Sequence, residues 1–249
     1  MAQFNGQTDN HNMERDIISP CDWGKDIEID KELVRRNLLD IQKKRATCKP
    51  RIIGVTKYYG LKAMVSGYEA DLRDFGESRV VDAARKIEML PKNIRKDSVF
   101  HFIGHLQTNK ADKAVRYFDY IHSVDSLHLA SAISDSAVKN NKQMKILIQV
   151  NNAEEEQKFG YSKSELIDEL AEIMKLPNLE ICGLMNMAPL GASESELRRL
   201  FSDIRCFRDE LEKKFDIKLS ELSMGMSDDY EFAVSEGATM IRIGRKLFT

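Results

Sequence analysis

Arg51-Ile52-Ile53-Gly54-Val55-Thr56-Lys57 is the stretch on which the reading of the fold turns. Ile52, Ile53 and Val55 are apolar and β-branched, the composition of a short buried strand, and Gly54 permits close backbone approach. Lys57 stands at the end of that strand. In α/β proteins the carboxyl ends of buried strands are where chemistry is placed, and a lysine there is held rigidly. Partly desolvated or near other cations, such an amine loses its proton more readily and can attack a carbonyl to form a Schiff base. A strand-end lysine with its stem on the core and its head in water has the same sequence, and on this stretch alone that plainer reading is the stronger.

Outward from this strand, strand-like and helix-like segments alternate. Further strands are expected at 72–75, 99–103, 120–123, 145–150, 179–184, 219–223 and 239–243. Helices are expected at 61–70, at 78–90 before Pro91, at 109–117, and at 127–139 with Asp125 placed to cap it. Ser162-x-x-Glu165 is a capping-box pattern for a helix ending before Pro177, and Ser193-x-x-Glu196 suits a helix running to about Phe215. Asp228-x-x-Glu231 opens a short helix to Ser235. Upstream, Asp30 can cap a leading helix to about Ala46, with Leu33, Val34, Leu38 and Ile41 on one face. Each unit spans roughly the 25–30 residues that a strand and its crossover helix require. Eight such units after a leading helix point to a single (β/α)8 TIM-type barrel over residues 28–249. Periodicity alone also permits a doubly wound open sheet. Residues 1–27 are polar and aperiodic and read as a flexible N-terminal extension, with Trp23 as a candidate for docking.

The 249 residues suit one large domain, and 42% hydrophobic with 31% charged residues is enough to build a sizeable core. A net charge of −2 gives no reason to expect nucleic acid or an anionic membrane as partner. No apolar run approaches a membrane span, and the polar N-terminus lacks the apolar stretch of a signal peptide. Cys21, Cys48, Cys182 and Cys206 follow no metal-ligand or disulfide spacing, so a reducing, cytoplasmic location fits best.

In the barrel reading, the residues just after each strand converge on one face, where the last two loops favour phosphate. Ser223-Met224-Gly225-Met226-Ser227-Asp228 combines hydroxyls, a close-approach glycine and the free N–H groups that open a helix. In Arg242-Ile243-Gly244, alternation directs Arg242 and Gly244 one way and Ile243 the other. An inward arginine needs a partner, either a ligand or a structural ion pair. His101 and His105 bring no further ligand cluster with them, so structural roles are expected and no metal site is assigned.

Taken in order, Gly54-Val55-Thr56-Lys57, Phe75-Gly76-Glu77-Ser78, His101-Phe102-Ile103-Gly104-His105-Leu106-Gln107-Thr108-Asn109-Lys110, Gly183-Leu184-Met185, Leu222-Ser223-Met224-Gly225-Met226-Ser227 and Arg242-Ile243-Gly244 resemble the pyridoxal phosphate homeostasis protein family. The resemblance covers about 29–248, and its two long motifs are highly specific. It implies a barrel of the alanine racemase N-terminal type that binds pyridoxal 5′-phosphate (PLP). It further implies a Schiff base on Lys57, a phosphate held by Ser223 and the backbone around Gly225, Gly244 and Arg245, and Arg242 facing the pyridine nitrogen. Met224 and Met185 would pack near the ring, Ser78 would lie beside the cofactor, and Lys158 matches a family lysine at the barrel mouth.

Three departures bear on fine contacts. Ser78 stands where the family usually has asparagine, Tyr58-Tyr59 replaces smaller or polar residues, and Arg245-Lys246 replaces small ones near the phosphate. The functional expectation is PLP homeostasis without efficient catalysis, with no residue in a catalytic role, a monomer, and apo-PLP enzymes as recipients. The alternatives are a racemase-like PLP enzyme, which needs a second acid/base group that alanine racemases take from a β-rich domain not expected in this chain, and a Schiff-base aldolase.

Overall fold

The computed structural model describes residues 28–44, 49–153 and 159–249. The expected extension at 1–27 with Trp23, the end of the leading helix at Ala46, Cys21, Cys48 and Lys158 lie outside the described residues.

The elements run α1 (Lys31–Lys43), β1 (Arg51–Val55), α2 (Leu61–Glu69), β2 (Asp74–Glu77), α3 (Val80–Met89), α4 (Lys92–Asp97), β3 (Val99–Phe102), α5 (Ala111–Tyr117), β4 (Tyr120–Val124) and α6 (Leu127–Lys139). They continue with β5 (Met144–Gln149), α7 (Lys163–Met174), β6 (Leu179–Met185), α8 (Glu194–Phe215), β7 (Glu221–Ser223), α9 (Tyr230–Ser235), β8 (Met240–Ile243) and α10 (Arg245–Phe248). All eight strands are parallel and each pairs with the next. β1 also pairs with β8, from Arg51 opposite Met240 to Gly54 opposite Ile243. That pairing closes the sheet into a TIM-type barrel and removes the open-sheet alternative.

Strand alternation divides the apolar residues into two layers. Ile53, Leu147, Cys182, Met185 and Met240 form a small cluster inside the barrel. Ile52, Ile121, Ile146, Leu222 and Ile241 belong to the larger layer under the helices. Gly54 is on that outer side, where an added Cβ would lie 2.4 Å from Leu72 and 3.3 Å from Leu247 and Phe248. The glycine thus lets the chain's last turn pack directly against β1.

The caps follow the sequence at three helices. Asp30 accepts from Glu32 N at 2.9 Å, Ser162 and Glu165 form a complete capping box, and Ser193 accepts from Glu196 N at 3.3 Å. Elsewhere neighbours displace the expected residue. Ser126, not Asp125, caps α6 by accepting from Leu129 N, since it directly precedes the first helical residue Leu127; the Asp125 carboxylate, one residue earlier, pairs with His105 Nδ1 at 3.2 Å. Asp229, not Asp228, stands at the start of α9 and accepts from Met226 N, while Asp228 turns outward to Arg245. The segment after Pro91 forms the unexpected short α4, since proline is well tolerated just ahead of a first helical turn. β7 begins at Glu221, two residues later than expected.

Candidate functional site

The residues singled out by sequence collect on four adjacent strands, β7, β8, β1 and β2, at their carboxyl ends. Lys57 lies two residues beyond β1, half-buried, with Nζ 5.0 Å from the centre of the Tyr58 ring. Its loop is anchored from beneath. Lys86 of α3 is buried and donates to Thr56 O and Tyr59 O, each at 3.0 Å, gripping the backbone on both sides of Lys57. The same amine reaches Glu77 Oε1, which also accepts from Thr56 Oγ1 at 2.6 Å. Burial pushes the Glu77 carboxyl up, and Lys86 and Thr56 pull it back.

The two loops on the other side of Lys57 present free donors. Among the described residues, the backbone N–H groups of Gly225, Ser227, Gly244 and Arg245 have no hydrogen-bond partner. Arg242 N donates to Gly225 O at 3.0 Å and ties one loop to the other. Gly225 has φ +88°, and a Cβ there would sit 2.6 Å from Ala233 Cβ, so this turn admits only glycine without displacement. Gly244 faces β1, where a Cβ would be 3.5 Å from Val55 O. Arg245 points its guanidinium to Asp228 at 3.2 Å, so what it offers the loop is its N–H.

Arg242 is the buried cation expected from alternation, 4% exposed. It donates to Ser223 O and Ser223 Oγ, each at 2.7 Å, and to Asn186 O at 2.8 Å. Its remaining N–H donors have no partner among the described residues. Burial pulls its pKa down to about 10, which leaves it cationic at neutral pH. From Ser223 a polar chain crosses the barrel. Ser223 Oγ is 2.9 Å from His122 Nδ1, His122 Nε2 is 2.9 Å from His101 Nδ1, and His101 Nε2 is 2.9 Å from Asp74 Oδ1. Burial lowers the pKa of both histidines, so both are neutral. One donor direction then satisfies every member: Arg242 to Ser223, Ser223 to His122, His122 to His101, and His101 to the carboxylate.

This chain was not foreseen. The Ser223 hydroxyl, assigned to phosphate by resemblance, is fully buried between His122 and Arg242, and a phosphate contact through it would require giving up one of them. Met224 is buried in the outer layer under the helices, whereas Met185 lies inside the barrel. Ser78 packs against Gly104, where a Cβ would be 2.4 Å from Ser78 O. His101 and His105 go separate ways, the second stacking on Phe159 at 3.7 Å between ring centres. Among the described residues no group of three or more His, Cys, Asp or Glu is placed to hold a metal.

Residues 29–249 match the family model of the alanine racemase N-terminal domain. The pyridoxal phosphate homeostasis protein of Synechocystis is 42% identical over 205 residues, covering 82% of this chain and 93% of that protein. The chain belongs to the pyridoxal phosphate homeostasis protein family. Its Escherichia coli member is 33% identical over 200 residues, 79% of this chain and 84% of that one. The structure of PipY from Synechococcus elongatus with PLP bound matches at TM-score 0.79 and 37% identity, covering 87% of this chain and 100% of PipY. Alanine racemase of Clostridium difficile shares the fold at TM-score 0.72 and 14% identity, with 57% of its length covered. Among the described residues no helix is long and apolar enough to cross a membrane.

Within this family member, sequence reading passed over Lys86 and His122, each of which looks like an ordinary helix or strand residue. Ser227 stands inside a loop motif and carries no separate signal of its own. The residue is half-buried, and its own backbone N–H is one of the unpaired donors.

Proposed function

We propose that this protein binds PLP at the carboxyl-end mouth of the barrel, attached through the Lys57 amine, and serves PLP homeostasis without efficient catalysis of its own. The observation that carries this is the set of unpaired N–H donors at Gly225, Ser227, Gly244 and Arg245, just after β7 and β8, the second of which pairs with the Lys57 strand β1. Converging backbone N–H groups are suited to a phosphate dianion, and the tie between the loops holds them together. Ser227 lies in that loop with a hydroxyl not engaged by Arg242 and His122 as that of Ser223 is.

Arg242 has unspent donors for a ring nitrogen, and the buried Asn186 Oδ1 beside it lacks a donor among the described residues. Both features suit a polar ring at that position. PLP when bound supplies an electron sink for carbanion chemistry, and it does so best with its ring nitrogen protonated. A permanent cation facing that nitrogen disfavours the protonation. The chain Arg242–Ser223–His122–His101–Asp74 holds the guanidinium in place rather than offering it a carboxylate. Such a site retains the cofactor while leaving it a poor catalyst, which fits a carrier that hands PLP to apo-enzymes.

Two measurements on the purified protein test this reading. PLP addition should give a visible absorption band distinct from that of the free cofactor, and the loaded protein should reactivate an apo-PLP enzyme. Amino-acid racemisation at rates ordinary for an enzyme, on the order of 10 per second, would overturn it in favour of a racemase-like activity.

A further inference from the structure

The barrel is concave at its other end as well. At the amino-terminal mouth, opposite Lys57, lies a pocket of about 630 Å³ whose wall includes Arg51, Lys96, Ser98 and Lys145. That volume is in the range used for small-molecule ligands, roughly 300–1,000 Å³. Four cationic side chains line it, Lys142 being the fourth, against the carboxylates of Asp74 and Asp119.

Most of the opposing or competing charge is already engaged. Asp74 accepts from His101 at 2.9 Å, and Asp119 accepts from Phe100 N at 2.8 Å. Lys142 donates to Val115 O and Phe118 O. Arg51 is 3.7 Å from Asp74 and 3.8 Å from Glu221, ion-pair distances too long for hydrogen bonds. Lys96 and Lys145 have no carboxylate within ion-pair distance among the described residues. The Tyr120 ring gathers Arg51 and Lys145, at 5.4 and 5.2 Å from its centre, so their charges share one spot.

A second observation points to a ligand. Ser98 is 8% exposed, and its Oγ is buried on this wall with no hydrogen-bond partner. A buried hydroxyl left unpaired costs stability unless something visits it. Two lysines without a carboxylate partner among the described residues and an arginine only loosely ion-paired, beside an unmatched hydroxyl, make a donor set for a tetrahedral oxyanion.

We propose that this pocket binds the phosphate group of a small molecule, with Arg51, Lys96 and Lys145 supplying charge and Ser98 Oγ a hydrogen bond. The site is separate from the Lys57 mouth and does not depend on the PLP reading. Amide chemical shifts of the full-length protein, recorded during titration with inorganic phosphate and separately with glycerol 3-phosphate, test it. Shifts at Ser98, Val99 and Lys145 are expected with either, and tighter binding of the ester would assign the rest of the pocket to the organic part. The double substitution Lys96→Gln and Lys145→Gln should weaken binding about tenfold or more. Both lysines are at the surface, so the fold should survive, and Ser98→Ala gives an independent check. Shifts confined to the loops at Gly225 and Gly244, or an affinity unchanged in the double variant, would overturn the proposal.

Discussion

The Ser223 hydroxyl accepts from Arg242 Nη1 at 2.7 Å, so the serine next to the phosphate-type loop is spent on orienting an arginine. Ser223→Ala should therefore act through Arg242. It leaves a guanidinium hydrogen and His122 Nδ1 unpaired, a cost of about 1–3 kcal/mol in stability. PLP and pyridoxal titrations should weaken by similar factors. Gly244→Asp, which puts a negative charge beside the free N–H groups, should weaken PLP far more than pyridoxal. A selective loss of PLP in Ser223→Ala would return that hydroxyl to the phosphate.

His101 and His122 titrate below their ordinary 6.5. For His122, burial is the main cause, followed by the charges of His101, Arg242 and Arg51; for His101, burial outweighs the opposing pull of Asp74. A lowered folded pKa means that the unfolded chain takes up protons first as pH falls below 6.5. Stability should therefore drop from pH 7 toward pH 5, by up to about 1.4 kcal/mol per pH unit for each histidine. Urea unfolding of His122→Gln across that range should show a shallower slope. An identical slope would mean that His122 is already charged in the fold.

Lys57→Ala should abolish the visible PLP band while leaving the fold intact, since Lys57 is half-buried at the mouth with no ion pair among the described residues. Borohydride reduction followed by peptide mapping should place the phosphopyridoxyl label on Lys57. A label found solely on another lysine would sink the assignment.

Lys86→Met should be the more damaging lysine change. It removes the donor to Thr56 O and Tyr59 O and strands the buried Glu77 carboxylate, a loss of about 3–5 kcal/mol for one partner of a buried pair. Thermal unfolding measures the cost. If the fold is unharmed, Glu77 is held by Thr56 alone.

What the sequence by itself determined is what depends on near neighbours. Short, β-branched apolar runs mark β1 and β8, Ser162 and Ser193 cap their helices from three residues away, and parity sends Arg242 inward. The long loop motifs placed Lys57, Gly225 and Gly244 at one mouth because every strand of a parallel barrel ends there. Tertiary structure alone decided the partners. Asp74, His101, His122, Ser223 and Arg242 come from five strands and meet only because β1 pairs with β8 and closes the sheet. The Asp125 carboxylate is of the same kind, since its partner His105 comes from another loop. Local periodicity is written in every few residues, but a hydrogen bond between distant side chains is set by the geometry of closure, which no short stretch contains.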